Sequence, residues 1–208
     1  MVRRGEQTRE HILDVAEHLY GDHGVAHVSL RQIRIAADQR NDAAVQYHFG
    51  DRDGILRALS ERHLPRLQAI ARRVADEGGT RPSQRRLVEA MVRPWAEYVT
   101  VGPSERAYVK IVAELGSDPT LAFGTIRDNV LPEMEAVGFA LFERLATRLP
   151  VEVAGERVWT VSRFVIQTSA DRARLVDAEA AARPVLPDDV FIGELVAMAA
   201  AALAAPGG

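Results

Sequence analysis

The sequence predicts an all-α chain. Apolar residues recur at helical spacing almost throughout, no stretch shows the strict alternation or the Val/Ile/Thr/aromatic clustering of a strand, and segment ends carry helix caps and stops. At 208 residues the chain can bury a sizeable core without a disulfide or metal staple. It has no Cys, which excludes disulfides, thiolate metal sites and a Cys nucleophile and suits a reducing compartment. The longest apolar run, Leu195 to Ala205, is too short to cross a bilayer, so the expectation is a soluble, cytoplasmic protein with no membrane partner.

The first helix is expected from about Thr8 to His23, with Ile12, Ala16 and Leu19 on one face, Val15 and Tyr20 at its edges, and Gly24 as its stop. Ser29 caps a short second helix whose buried stripe is Leu30, Ile33 and Ala37. Asp38, Gln39 and Arg40 read as a turn. A third short helix from Asn41 to near Phe49-Gly50 points Val45 and Phe49 inward. Asp51 caps a longer fourth helix in which Ile55, Leu56, Leu59 and Leu67 pack and Pro65 introduces a kink.

The run Gly78-Gly79-Thr80-Arg81-Pro82 is the clearest break in the chain. Further helical patterns cover Ser83 to Thr100, Ser104 to Leu115, Pro119 to Thr147 with a kink at Pro132, Glu152 to Ala173, and Asp188 to Ala204. Asp118-Pro119 and Pro187-Asp188 suit helix starts, because Pro is tolerated in the first turn and Asp caps it. There is no internal repeat. The organisation expected is a three-helix unit over 1–50, a connecting helix over 51–76 and a larger helical unit over 77–208.

Two short helices joined by a tight turn, behind a longer first helix, form a helix-turn-helix, the arrangement that seats its second helix in a DNA major groove. The formal net charge is −3, so cations must be concentrated on one small surface if the partner is double-stranded operator DNA. Lys110 is the single lysine, and arginine supplies every other basic side chain apart from histidine. Arg40, Asn41, Asp42, Ala43, Gln46 and Tyr47 crowd into the reading positions. Gln46 suits adenine and Arg40 guanine, while the small Ala43 and Ala44 let the backbone approach the bases. Ser29, Arg31 and Arg52 flank the helix as phosphate ligands, and His48 lies beside them as either a packing residue or a contact.

Three blocks together resemble the TetR family of bacterial regulators. They are the segment from His11 through Ala16, Tyr20 and Gly24, the run Val28-Ser-Leu-Arg-Gln-Ile33, and the run Val45-Gln-Tyr-His-Phe-Gly-Asp-Arg-Asp-Gly-Ile-Leu56. The likeness covers roughly residues 8 to 60. It implies that Tyr47 and Arg52 touch the DNA backbone, Arg52 standing where the family usually has Lys, and that the chain is a homodimeric repressor released by a small effector. Two departures stand out. Asp38 occupies a turn that usually holds Gly or small residues and is one residue longer than the common form, which leaves the register of the third helix open by one. Arg34 replaces a small residue, either as a phosphate contact or on a solvated face.

In the larger unit, Trp95, Tyr98, Tyr108, Phe123 and Phe142 are candidates to line a mostly apolar cavity, although each also serves as ordinary core. Val158, Ser162 and Val165 on one helix and Phe191, Leu195 and Met198 on the last form stripes suited to a four-helix seam between subunits, or to internal core. His11, Asp14 and His18 share a face of the first helix that reads as solvated polar surface, and no metal or other cofactor is expected. No nucleophile elbow, phosphate-binding glycine loop or His-Glu-x-x-His motif is present, so a catalytic role is not expected. The competing reading is a helical-bundle ligand carrier, or a protein-interaction adaptor with a vestigial helix-turn-helix.

Overall fold

Apolar residues three and four apart organise every helix of the computed structural model, which describes residues 2–41, 43–117, 132–178 and 183–207. The helices are α1 (Val2–His23), α2 (Leu30–Ala36), α3 (Ala44–Phe49), α4 (Arg52–Glu77), α5 (Gln84–Tyr98), α6 (Pro103–Leu115), α7 (Pro132–Ala146), α8 (Val151–Asp177) and α9 (Asp188–Ala204). Among the described residues there is no strand, and no helix is long and apolar enough to cross a membrane. One continuous apolar cluster runs from Ile12 to Leu203.

The expected caps form. Ser29 and Gln32 make a reciprocal capping box at α2, and Asp51 Oδ1 accepts the Gly54 N–H at 2.9 Å to open α4. Gly24 stops α1 with φ 85°, a left-handed conformation that costs glycine nothing. α4 runs unbroken through Pro65, which lies on its exposed side where the unpaired carbonyl one turn back meets water. α5 is the central helix and packs against α4, α6, α7, α8 and α9.

Several boundaries and faces differ from expectation. α1 begins at Val2, and Tyr20 is not at its edge but enclosed with Ile12, Leu13 and Ala16. α3 begins at Ala44, and ahead of it Asn41 Oδ1 accepts the Ala43 N–H at 3.0 Å. α8 extends to Asp177, and α9 is capped by Pro187 while Asp188 sits in the first turn. The proposed start at Asp118-Pro119 lies outside the described residues.

The stripes expected at a subunit seam turn largely inward. Leu195 and Val165 are 0% exposed, because α9 packs on α5 and α8 packs on α6 within one chain. Phe191 is covered by the Arg172 guanidinium, 4.5 Å above its ring, and Arg172 also holds the Leu186 carbonyl and the Asp188 carboxylate. Val158 packs on the core and Ser162 faces a cavity; of the six residues, Met198 alone is exposed. Helical period fixes a stripe but not which neighbour covers it.

At the α3–α4 corner the backbone closes so tightly that a Cβ on Gly54 would sit 1.7 Å from the Phe49 carbonyl oxygen. Gly54→Ala must therefore open the corner. The expected cost is on the order of 3 kcal/mol, measurable by urea unfolding; an unchanged midpoint would show that the corner relaxes freely.

Candidate nucleic-acid interface and ligand cavity

The turn between α2 and α3 is built from side chains that propensity alone does not reveal. Asp38 takes the left-handed region at φ 49°, which short polar residues tolerate, and the Gln39 N–H returns to the Arg34 carbonyl at 3.0 Å. Arg34 Nη1 donates to the Gln39 carbonyl at 2.8 Å and Gln39 Nε2 to the Ala37 carbonyl at 2.7 Å. Of the two roles open to Arg34, phosphate contact or solvated face, the structure gives neither as its main one: the guanidinium braces the turn.

That brace fixes the register of α3. Ala44 and Val45 face the core, Phe49 is half-buried under the Arg9 guanidinium, and Gln46 and Tyr47 point outward, Tyr47 being 83% exposed. A tyrosine held this far into solvent, with only the His48 ring beside it, contributes little to the core. Ala43 is exposed, but Ala44 belongs to the core, so only one of the two small residues lies on the outer face. Gln46 and Arg31 line one groove between α2 and α3 with Leu30, Arg34 and Val45. Arg40, in the turn before α3, is exposed. His48 is half-buried, with its ring 5.1 Å from Tyr47.

The other expected contacts carry internal duties. The Ser29 hydroxyl accepts the Gln32 N–H at 3.3 Å and donates to Gln32 Oε1 at 2.7 Å, and Asn41 caps the lead-in to α3. Arg52 Nη2 donates to the Val28 carbonyl at 3.4 Å, pinning the start of α4 to the segment before α2. Arg52 also lies near the Tyr20 phenol, which burial pushes up to about 12 against the opposing arginine charge.

Between α4, α5, α6, α7 and α8 lies a cavity of about 220 Å³. Of the residues expected there, Trp95 and Tyr108 line it. Tyr98 does not, being buried with its hydroxyl on His63; Phe142 packs beside Phe139 instead, and Phe123 falls outside the described residues. The walls are completed by Leu56 and Ser60 of α4, Met91 of α5, Ile111 and Val112 of α6, and Met134 of α7. Trp159, Ser162, Arg163, Ile166 and Gln167 come from α8. Sequence reasoning missed Ser60, although a polar residue in the apolar stripe of α4 between Leu56 and Leu67 is a readable signal.

A buried polar network joins these two regions, and it too went unread. Glu17 of α1 is 4% exposed and accepts from His63 Nε2 at 2.8 Å, Arg62 Nη1 at 2.8 Å and the Ser104 hydroxyl at 2.6 Å. Burial raises the Glu17 carboxyl, but the hydrogen bonds from His63, Ser104 and Arg62 outweigh it and hold the group below its ordinary value. A carboxylate only accepts, so His63 donates from Nε2 to Glu17, and its Nδ1 lies 2.7 Å from the Tyr98 hydroxyl. The His63 ring stacks on Tyr108 at 4.3 Å, and Tyr108 is a cavity wall. Arg62 also pairs with Glu10 and Asp14, each at 2.7 Å, which takes Asp14 out of any metal site with His11 and His18. Among the described residues no cluster of metal-type side chains occurs.

No family model matches the sequence, and no curated protein sequence matches it. Solved structures do match. AmtR of Mycobacterium smegmatis is 21% identical with a TM-score of 0.55, over 96% of this chain and 87% of that one. NalD of Pseudomonas aeruginosa, the secondary repressor of the MexAB-OprM multidrug efflux pump, is 19% identical with a TM-score of 0.55 over 95% of both chains. GusR of Salmonella enterica is 19% identical with a TM-score of 0.51 over 96% of both. Across nearly its whole length the chain therefore has the TetR-type fold that its N-terminal motif implied.

Glu17→Gln should lower stability by on the order of 3 kcal/mol, because it leaves His63 and Arg62 without their shared buried carboxylate. The sign in acid follows from the depressed Glu17 value: its contribution is present above the ordinary 4.5 and is lost as pH falls through the lower folded value. Thermal melts against pH should thus fall less steeply below that point in the variant than in the native chain. Equal acid slopes would remove Glu17 as a source of the pH dependence.

Proposed function

We propose that this chain is a homodimeric TetR-family transcriptional regulator, most simply a repressor, that binds operator DNA through α2 and α3 and is released when a small, mostly apolar effector fills the cavity. The observation that carries this reading is the outward face of α3, where Gln46 and Tyr47 project into solvent, Gln46 beside Arg31, while Val45 anchors the helix. Exposed amide, phenol and guanidinium groups on the second helix of a helix-turn-helix are what base edges and phosphates require. The repressor sense is supported by the likeness in fold to NalD, itself a repressor.

Effector coupling needs an element shared by cavity and DNA face. α4 is one: Arg52 starts it beside α2 and Leu56 and Ser60 reach the cavity one and two turns on. α6 is another. Its inner face carries Tyr108 and Ile111 in the cavity wall, while Glu114 accepts the Val25 and Ala26 N–H groups at 2.9 and 3.0 Å, just beyond α1. An effector that shifts α6 moves α1 with it, and the change in affinity must be reciprocal between effector and DNA. For the dimer, the outward stripes of α8 and α9 are the available surfaces, with Phe164, Thr160, Met198 and Ala201 exposed.

Two experiments test this. In binding titrations against promoter fragments flanking the gene, Arg31→Ala should weaken all sequences alike and flatten the salt dependence by about one charge per subunit. Gln46→Ala should keep the salt slope and relax preference at one base pair per half-site, costing roughly 1–3 kcal/mol on the preferred operator. No difference between promoter and random DNA in the native chain would remove the regulator reading. In sedimentation, the pair Phe164→Asp and Met198→Asp should give folded monomers, whereas Leu195→Asp should unfold the chain; a dimer surviving the pair would place the interface elsewhere.

A further inference from the structure

The cavity walls are apolar and aromatic, yet one end is polar and carries a single kind of charge. Arg163 is the only charged residue among the described residues that line it. Its guanidinium lies 6.0 Å over the Trp159 ring, and Nη2 donates to the Ser117 hydroxyl at 3.2 Å. Gly116 makes room for this seating: a Cβ there would come within 3.1 Å of Nη1. Gln167 closes the same end, with Nε2 donating to the Ala113 carbonyl at 2.8 Å and to the Ser117 hydroxyl at 2.7 Å. Among the described residues no carboxylate pairs with Arg163, although eleven other arginines have found one.

A guanidinium carries five donors in a planar fork, and here one neutral hydroxyl uses one of them. The guanidinium is half-exposed at the polar end of the cavity, and its fork matches a planar carboxylate better than any neutral group. The size bounds the remainder of the ligand. A cavity of 150 Å³ holds benzene, so about 220 Å³ takes one aromatic ring and a short acid side chain. Trp95, Tyr108 and Trp159 supply ring faces for it, and the thioethers of Met91 and Met134 adapt to its edge. A doubly charged phosphate would leave one charge without a partner against this single cation.

We propose that the effector class is a small aryl monocarboxylate, its ring between Trp95 and Tyr108 and its carboxylate on Arg163. This rests on the reading of the cavity as the effector site and names the chemistry of that site. In it the carboxylate takes the free donors of the guanidinium, and the Ser117 and Gln167 contacts hold the fork in place.

The test is a calorimetric panel on the full chain, using benzoate, phenylacetate and hydrocinnamate, each against its neutral primary amide. Trp95 and Trp159 are the only tryptophans, and both line the cavity, so quenching of intrinsic fluorescence reports occupancy in parallel. At least one acid should bind roughly tenfold or more tightly than its amide, with the difference erased in Arg163→Gln and partly kept in Arg163→Lys. Retained melting temperatures of both variants exclude unfolding as the cause, and Arg163→Lys carries the test if Arg163→Gln does not fold. If acid and amide quench and bind alike, or if Arg163→Gln keeps the preference, the carboxylate class is overturned while the cavity stands as a ligand site. If no member of the panel binds below about 1 mM, the cavity reading fails and the class falls with it.

Discussion

The arrangement depends on how α1 is seated on α6. Gly21 lies so close to this helix that a Cβ there would meet the Ala107 Cβ at 2.8 Å, and polar groups bracket the contact at both ends. At one end Glu17 gathers Ser104 with Arg62 and His63; at the other Glu114 of α6 caps the chain leaving α1. Lys110, the single lysine, lies between them, nearly buried and shared by Asp22 and Asp177 at 3.4 and 3.0 Å. Buried charges like these add little net stability over an apolar seam of equal shape, but they are costly to mispair and so specify one register of α1 against α6.

That register matters because α6 has two occupied faces. One carries α1 and, through it, the helix-turn-helix; the other is a wall of the cavity. Tyr108 joins them directly, since it lines the cavity, stacks on His63 and offers its hydroxyl to Ser60 at 3.4 Å. A ligand against Tyr108 therefore presses on the ring whose other nitrogen holds Glu17 of α1. Close packing transmits such a displacement because no slack separates the groups. The chain thus has a contiguous physical route from the cavity to the helix-turn-helix in addition to the covalent one along α4.

The distribution of charge serves the same division. Many arginines are tied to carboxylates, as with Arg73 and Arg93 on Glu77 and Glu97, or Arg72 on Glu133. Arg172, Arg148 and Arg157 are spent on the carbonyls and the carboxylate that fix the ends of α9. Arg31 and Arg40 on the outer face of the helix-turn-helix and Arg163 at the cavity end stand apart from these pairings, which is how a chain of net charge −3 still offers cationic surface where ligands of opposite charge would meet it.

Local chemistry made much of this legible. The all-α class, the caps at Ser29 and Asp51, the stop at Gly24 and the inward Val45 follow from periodicity and capping, which act over a few residues and leave their mark in the sequence. What only the tertiary structure decided is which stripe meets which neighbour. Leu195 and Val165 read equally well as seam or core, and the contacts of α9 with α5 and of α8 with α6 made them core. Tyr98 had the look of a cavity residue until His63 claimed its hydroxyl, and Arg163 gave no sign of facing a cavity until four other helices closed around α8. The sequence determined the helices because propensity and capping are short-range. The seating of α1, the cavity and the cation at its end arise between residues as much as about 110 positions apart, where no local period carries the information.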